Sequence, residues 1–237
     1  LSYELVSYGA GVAGMINGSL TVLSIGKVDD EELKTLGSYG AQKILSIDNE
    51  NLKVFDSQAY ASVIAEIATR EKTTVIIIAN NNSGKAVAPR LSVRLKAGIG
   101  SGVNKLPVNV NPFTVNKRAY SGNAFAHLVI KSDVKILTLA QNSFDPVTTP
   151  NNAIIEKADV SVDKSLIRTE VKEVLKQSGK LLLTDADIVV SGGRGMKSPD
   201  NWAPLLELAE ALGAATACSR PVSDLSLIHI SEPTRPY

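Results

Sequence analysis

The residues best suited to chemistry lie in one stretch, Asp187 to Trp202, which reads DIVVSGGRGMKSPDNW. Gly192, Gly193 and Gly195 follow a run of apolar residues. Glycines in that position let the backbone turn sharply and approach a ligand closely. Amides exposed at such a turn, and at the start of the helix after it, favour phosphate or another electron-rich group. Arg194 adds a fixed positive charge and five donors. The spacing is GGRG and not the dinucleotide fingerprint GxGxxG, so on physics alone a nucleotide site and a tight structural turn both fit. A second stretch, CSRPVSD, runs from Cys218 to Asp224. Arg220 follows a short predicted strand, at the end where ligand-facing residues gather in open α/β sheets, although a surface loop arginine is the plainer reading. Ser219 can donate a hydrogen bond or cap a turn, and Cys218 reads as a small core residue.

The other candidates are weaker. Asn80, Asn81, Asn82, Ser83, Gly84 and Lys85 follow a strand-like run and have the form of a phosphate-binding turn without the Walker glycines, so they read as structural. His127 sits in the alternating run AFAHLVI and reads as a structural or surface histidine. No His, Cys and Asp cluster has metal-ligand spacing, and no residues are assigned to acid–base or nucleophilic catalysis.

These segments need a scaffold, and the order of elements supplies one. A helix over Leu1–Gly18 is followed by a strand in SLTVLSIG, a short acidic-ended helix in VDDEELKTLGSYG, a strand in KILSID, an amphipathic helix in SQAYASVIAEIATREK and a β-branched strand in TTVIIIANN. Such alternation predicts a parallel sheet with right-handed crossovers, with a further strand expected ahead of Leu1. After a helix in SGKAVAPRLSVRLKAG the texture changes. LPVNVN, FTVNKRAY, AFAHLVIKS and VKILTLAQ read as antiparallel strands, the stretch from Asn142 to Asn152 as a loop, and IEKADVSV as one more strand. Lys164 to Gly179 reads as a linker. Then KLLLTDADIVV, the GGRG turn, the helix SPDNWAPLLELAEALGA and the strand of ATACSRPVSD open a second nucleotide-binding-type domain, with Ser198 or Asp200 as the helix cap. The fold class is therefore α/β: a mostly parallel sheet domain with antiparallel additions, followed by the first part of a Rossmann-like domain.

Bulk properties exclude several classes. Hydrophobic residues are 44% of the chain and aromatics only 5%, so the core is built from Val, Ile, Leu and Ala, as in sheets covered on both faces. The 25 basic and 24 acidic residues leave a net charge of +1, without the basic excess of a nucleic-acid partner. No apolar run reaches the ~18 residues of a membrane span, so no membrane insertion is expected. The single cysteine fits a reducing compartment.

VVSGGRGMKSPDNW, followed by LLELAEALGAATACSRPVSD, resembles the first half of the FAD domain of electron transfer flavoprotein alpha subunits. SLTVLSIG, GKAVAPRLSVRLKAG, RAYSGNAFA and IKSDVKILTLAQNSF extend the resemblance more weakly through the first domain. It implies that Arg194, Ser219 and Arg220 belong to an FAD site, with Arg220 near the flavin ring, where a cation favours the reduced anionic flavin. It also implies an electron carrier and not an enzyme. Such a carrier pairs with a beta subunit, takes electrons from flavin dehydrogenases such as those acting on acyl-CoA, and passes them to a membrane quinone reductase. Its setting is the cytoplasm, or the mitochondrial matrix in a eukaryote. An electron-bifurcating variant stays open.

The resemblance divides the chain into an electron transfer flavoprotein N-terminal domain over residues 1–175, an incomplete FAD-binding domain over 176–224 and a non-native tail over 225–237. The tail is set apart because Leu225–Arg235, LSLIHISEPTR, equals the translation of a common transposase sequencing adapter, which also removes His229 from consideration. The VGQTG-type, SGAIQH-type and NKD-type segments that hold most of the FAD in complete family members do not occur, so the chain as written is expected to be truncated at both ends and to bind FAD poorly. Two rival readings are an NAD-dependent Rossmann oxidoreductase, which lacks its GxGxxG here, and a non-redox nucleotide-binding scaffold.

Overall fold

The structure, a computed structural model, describes residues 1–167, 170–173, 183, 186–219 and 222–223. The chain divides into two units after Val171, and each is described by itself.

The first unit begins with α1 (Ser2–Met15), which ends where Asn17 turns left-handed and the Gly18 amide donates to the Ala13 carbonyl at 2.8 Å. β1 (Thr21–Ile25), α2 (Asp30–Thr35) and β2 (Lys43–Ile47) follow. The Asp56 side chain, accepting from the Gln58 and Ala59 amides at 2.8 and 3.0 Å, caps α3 (Ser57–Arg70). After β3 (Val75–Ala79), Asn81 caps α4 (Asn82–Leu95). Then come β4 (Gly98–Val103), β5 (Asn109–Val110), β6 (Phe113–Ala119), β7 (Ala124–Val129), β8 (Lys135–Leu139) and β9 (Ile154–Lys157).

The expected parallel pairing is present, but the strands fall into two sheets. β1, β2 and β9 form a parallel sheet with β2 in the middle. The larger sheet runs β3-β8-β4-β6-β5, with β7 also on β6; β3, β8 and β4 are parallel, and β5, β6 and β7 add antiparallel strands.

Two strands differ from the sequence reading. VKILTLAQ was expected to be antiparallel, yet β8 lies parallel between β3 and β4, and Ile136, Leu137, Thr138 and Leu139 are all buried. A strand covered on both faces shows no alternation. β4 was missed because three of its six residues are glycine. A side chain at Gly98 would press within 2.6 Å of Ile130 and 2.8 Å of the Ser132 hydroxyl, so the absence of a side chain lets the strand pass. At Gly102 the ladder register shifts, and its amide donates instead to the Thr138 hydroxyl, which donates to Asn80 Oδ1, each at 2.9 Å.

Helices cover both faces. Tyr8 and Val12 of α1 pack with Val103, Leu137 and Leu139; Ala88 and Leu91 of α4 pack with Ile136 on the other face. In the smaller sheet Leu45 and Ile47 meet Ala59, Val63 and Ile67 of α3, while Val6 joins Leu33, Leu36 and Ile44. α1 therefore serves both sheets. It is also tied to the loop after β8: buried Glu4 accepts from the amides of Ser143, Phe144 and Asn142 at 2.9, 3.2 and 3.4 Å, and the Ser7 hydroxyl exchanges hydrogen bonds with the Val147 backbone at 3.0 and 3.2 Å.

In the second unit β10 (Val189–Gly192) pairs in parallel with β11 (Ala215–Cys218), and α5 (Ala203–Ala211) connects them. Most of the linker stretch from Lys164 to Gly179, most of Lys180–Asp185, Arg220 and all of residues 225–237 lie outside the described residues.

Candidate functional site

The register from Val189 opposite Ala215 to Gly192 opposite Cys218 brings β10 and β11 to an end at the same level. The Gly192 carbonyl accepts the Ser219 amide at 3.1 Å, so the GGRG turn and the Ser219 segment leave one edge of the sheet side by side. This is the carboxyl edge, where α/β sheets place ligands.

The turn is held by its own backbone. The Met196 amide donates to the Gly193 carbonyl at 3.0 Å, and Arg194 is exposed within the 3-10 turn Arg194–Met196. Lys197 then takes φ 61°, ψ −45°, and the Ser198 amide reaches back to the Met196 carbonyl at 2.6 Å, which closes a γ-turn. This conformation is strained for a residue with a side chain, and strain of this kind gathers at functional sites. Asn201 Nδ2 donates to the same Met196 carbonyl at 2.7 Å. Ser198, one of the two expected cap candidates, caps the 3-10 turn Pro199–Trp202 that leads into α5: its hydroxyl accepts the Asp200 amide at 3.3 Å and donates to the Asp200 carboxylate at 2.9 Å.

Beneath the turn lies Trp202, only 7% exposed, packed with Leu205, Val222, Val190, Met196 and Cys218. Cys218 is half-buried against this cluster. Ser219 is exposed, and its carbonyl accepts the amides of Val222 and Ser223 at 2.8 and 3.2 Å. The structure thus brings Arg194 and Ser219 to one edge, while Arg220 lies outside the described residues. Lys197 and Trp202 are part of the constellation but had no assigned role in the sequence reading; the only signal for Trp202 was its being the single tryptophan.

The arrangement suits an anionic ligand. Among the described residues, and chain neighbours apart, no atom lies within 4 Å of where a Cβ would stand at Gly193 or Gly195, so the backbone there is open to close approach, and Arg194 supplies positive charge beside it.

The remaining candidates fall elsewhere. Asn80–Lys85 are the start of α4: Asn81 Oδ1 accepts the Gly84 amide at 2.8 Å and Asn80 braces Thr138. His127 is exposed on β7. Among the described residues no group of His, Cys, Asp and Glu could hold a metal ion, and no helix is long and apolar enough to cross a membrane.

A profile described as the electron transfer flavoprotein domain matches residues 1–163, most of the chain. The chain belongs to the electron transfer flavoprotein family. Within it the chain is of the alpha type: a profile of the electron transfer flavoprotein FAD-binding domain matches residues 182–232, which contain β10, the GGRG turn, α5 and β11. FAD is the cofactor that this domain type holds. The electron transfer flavoprotein subunit alpha of Bacillus subtilis is 30% identical over 227 residues, covering 94% of this chain and 69% of that protein. The lactate dehydrogenase (NAD(+),ferredoxin) subunit LctC of Acetobacterium woodii is 28% identical over 225 residues, 93% of this chain and 54% of that protein. A probable mitochondrial alpha subunit of Caenorhabditis elegans is 29% identical over 189 residues, 80% of this chain and 56% of that protein. An electron transfer flavoprotein subunit is an electron transfer protein and not a catalyst of substrate chemistry.

Proposed function

We propose that the chain carries electrons on FAD as the alpha subunit of a heterodimer with a beta subunit, and that Arg194, Ser219 and Arg220 form part of the FAD contact surface. The observation that carries this reading is the shared edge of β10 and β11, from which the GGRG turn and Ser219 emerge together within the stretch that matches the FAD-binding domain. FAD supplies the redox chemistry when bound; the residues of this chain bind it, orient it and set the electrostatics around it. Arg194 and the open amides of the turn suit phosphate or flavin oxygens. Arg220, which the family resemblance puts at the flavin ring, stabilises the negative charge of the reduced flavin and so raises its potential.

In this reading the donors are flavin dehydrogenases such as those acting on acyl-CoA, the acceptor is a membrane quinone reductase, and the setting is the cytoplasm, or the mitochondrial matrix in a eukaryote. The likeness to the LctC subunit favours a second reading, in which the chain serves inside a dehydrogenase complex and not as a mobile carrier.

The experiment is reconstitution with FAD and beta subunit, using the protein completed through the rest of its FAD domain. A yellow complex is expected; Arg194→Ala should weaken FAD binding, and Arg220→Ala should lower the flavin potential. A colourless wild-type complex sinks the carrier reading, and an unchanged potential in Arg220→Ala sinks that assignment. Adding dehydrogenase and quinone reductase separates the two readings: a free carrier is reduced and reoxidised by separate partners.

A further inference from the structure

We propose that Trp202 is the positioning residue of the flavin site, locking the GGRG turn and the Ser219 segment into one geometry through the bare Cα of Gly192. The proposal rests on the FAD reading above and goes beyond it in naming a residue that lies under the site, outside the three assigned contacts.

The argument starts from Gly192. A Cβ built there would stand 2.4 Å from Trp202 Cη2, 2.8 Å from Cζ3 and 3.0 Å from Leu205 Cδ1, so the far edge of the indole occupies the space a side chain would need. Gly192 has a backbone conformation open to any residue, and contact with the ring is what requires glycine. The same residue joins both halves of the site: its carbonyl holds the Ser219 amide at 3.1 Å, and the next residue opens the turn that carries Arg194. The ring shares one apolar cluster with Met196 at the far end of that turn, and with Cys218 and Val222 on either side of Ser219. A flat, rigid side chain seated on Gly192, in a cluster that draws on both segments, fixes their separation, which is what a preorganised site requires. Among the described residues the buried indole N–H has no acceptor, although a buried tryptophan usually finds one. Among the described residues, packing against Gly192 is the closest constraint on the ring.

The test uses the FAD-loaded heterodimer and reads the FAD dissociation constant, the visible circular dichroism of the flavin and its reduction potential. Trp202→Phe withdraws the far edge of the indole, and Gly192→Ala pushes a methyl into it. Each should weaken FAD binding at least about tenfold, the lower end of what lost supporting contacts cost a site, and should alter the flavin dichroism. The double variant Gly192→Ala/Trp202→Phe should bind better than either single one, because the shorter ring leaves room for the methyl. A bystander role in the core would lower thermal stability in the single variants and leave flavin affinity, dichroism and potential unmoved. That result overturns the proposal, and so does a double variant no better than the worse single one. If Trp202→Phe fails to fold, Gly192→Ala and the double variant still decide the matter. If the wild-type complex does not hold FAD, or Arg194→Ala binds it as tightly as wild type, the parent reading fails instead.

Discussion

Removing the carboxylate of Glu4 should cost the first unit more stability than any surface change. Glu4 is only 4% exposed, and it receives the Ser143 and Phe144 amides at 2.9 and 3.2 Å, with the Asn142 amide at the margin at 3.4 Å. Asn142 is left-handed, φ 53°, which lets successive N–H groups converge on one anion. A hydrogen bond to a charged group is worth about 1.5–3 kcal/mol, and orphaning a buried donor costs a similar amount. Counting the two short bonds, and allowing water to recover part of the loss, Glu4→Ala should destabilise by about 3–4 kcal/mol. Glu4→Gln keeps an acceptor but loses the charge, and should cost about half as much. At roughly 2–4 °C per kcal/mol for a unit of this size, the alanine variant should melt about 6–16 °C lower. Urea titration followed by far-ultraviolet circular dichroism measures the difference as a shift in midpoint at constant slope. An alanine variant within about 0.5 kcal/mol of wild type, or a glutamine variant as damaged as alanine, would refute the reasoning.

Three further outcomes follow from the structure and the sequence. Burial lifts the Tyr8 phenol far above its ordinary range. A folded-state pKa raised above the unfolded value gives stability that is complete below about pH 10 and lost as pH rises past it. Tyr8→Phe, which gives up the 3.0 Å hydrogen bond to the Lys105 carbonyl, should therefore cost about 1 kcal/mol at neutral pH and flatten the alkaline limb of the stability profile; an unchanged limb argues against Tyr8 as its source. Thr138→Val deprives the Gly102 amide and Asn80 Oδ1 of their partner and should cost about 1–3 kcal/mol in urea titration, whereas a neutral effect would mean that water replaces the hydroxyl. Deleting residues 225–237 should leave stability within about 0.5 kcal/mol, and a loss of several kcal/mol would make that segment part of the fold.

What was legible in the sequence depended on how each element meets its neighbours. β1, β2 and β3 announce themselves as short apolar runs between helices, and Ser198, one of two cap candidates, starts the turn that leads into α5. β8 was mistaken in its direction because it follows a hairpin in sequence, while its partners β3 and β4 come from elsewhere in the chain. The glycines of β4 disguised a strand whose fit depends on what its neighbours leave no room for. At the site, Arg194 and Ser219 were named from residue type and from the family resemblance, but their common edge is a product of the β10–β11 register. Trp202 could not be assigned in advance, since its importance lies in the atoms stacked above it. Burial of Glu4 was equally hidden, because nothing in a helix sequence reveals a loop that arrives 140 residues later.

That distance shapes how the molecule is made. α1 leaves the ribosome early, yet Glu4 must wait for Ser143 and Phe144, Ser7 for Val147, and β2 for β9. At about 5–20 residues per second, the interval between the emergence of Glu4 and that of its partners is about 7–28 s. Helix formation itself takes about a microsecond, so α1 spends this time as a formed or fluctuating segment without β8 of the larger sheet. Tyr8 and Val12, which end up almost wholly buried, lack their partners Leu137 and Leu139 throughout the interval. The first unit therefore closes late, once β8, the loop behind it and β9 have appeared, and a nascent chain halted before Phe144 leaves Tyr8 and Val12 uncovered, the kind of apolar surface that a ribosome-bound chaperone holds.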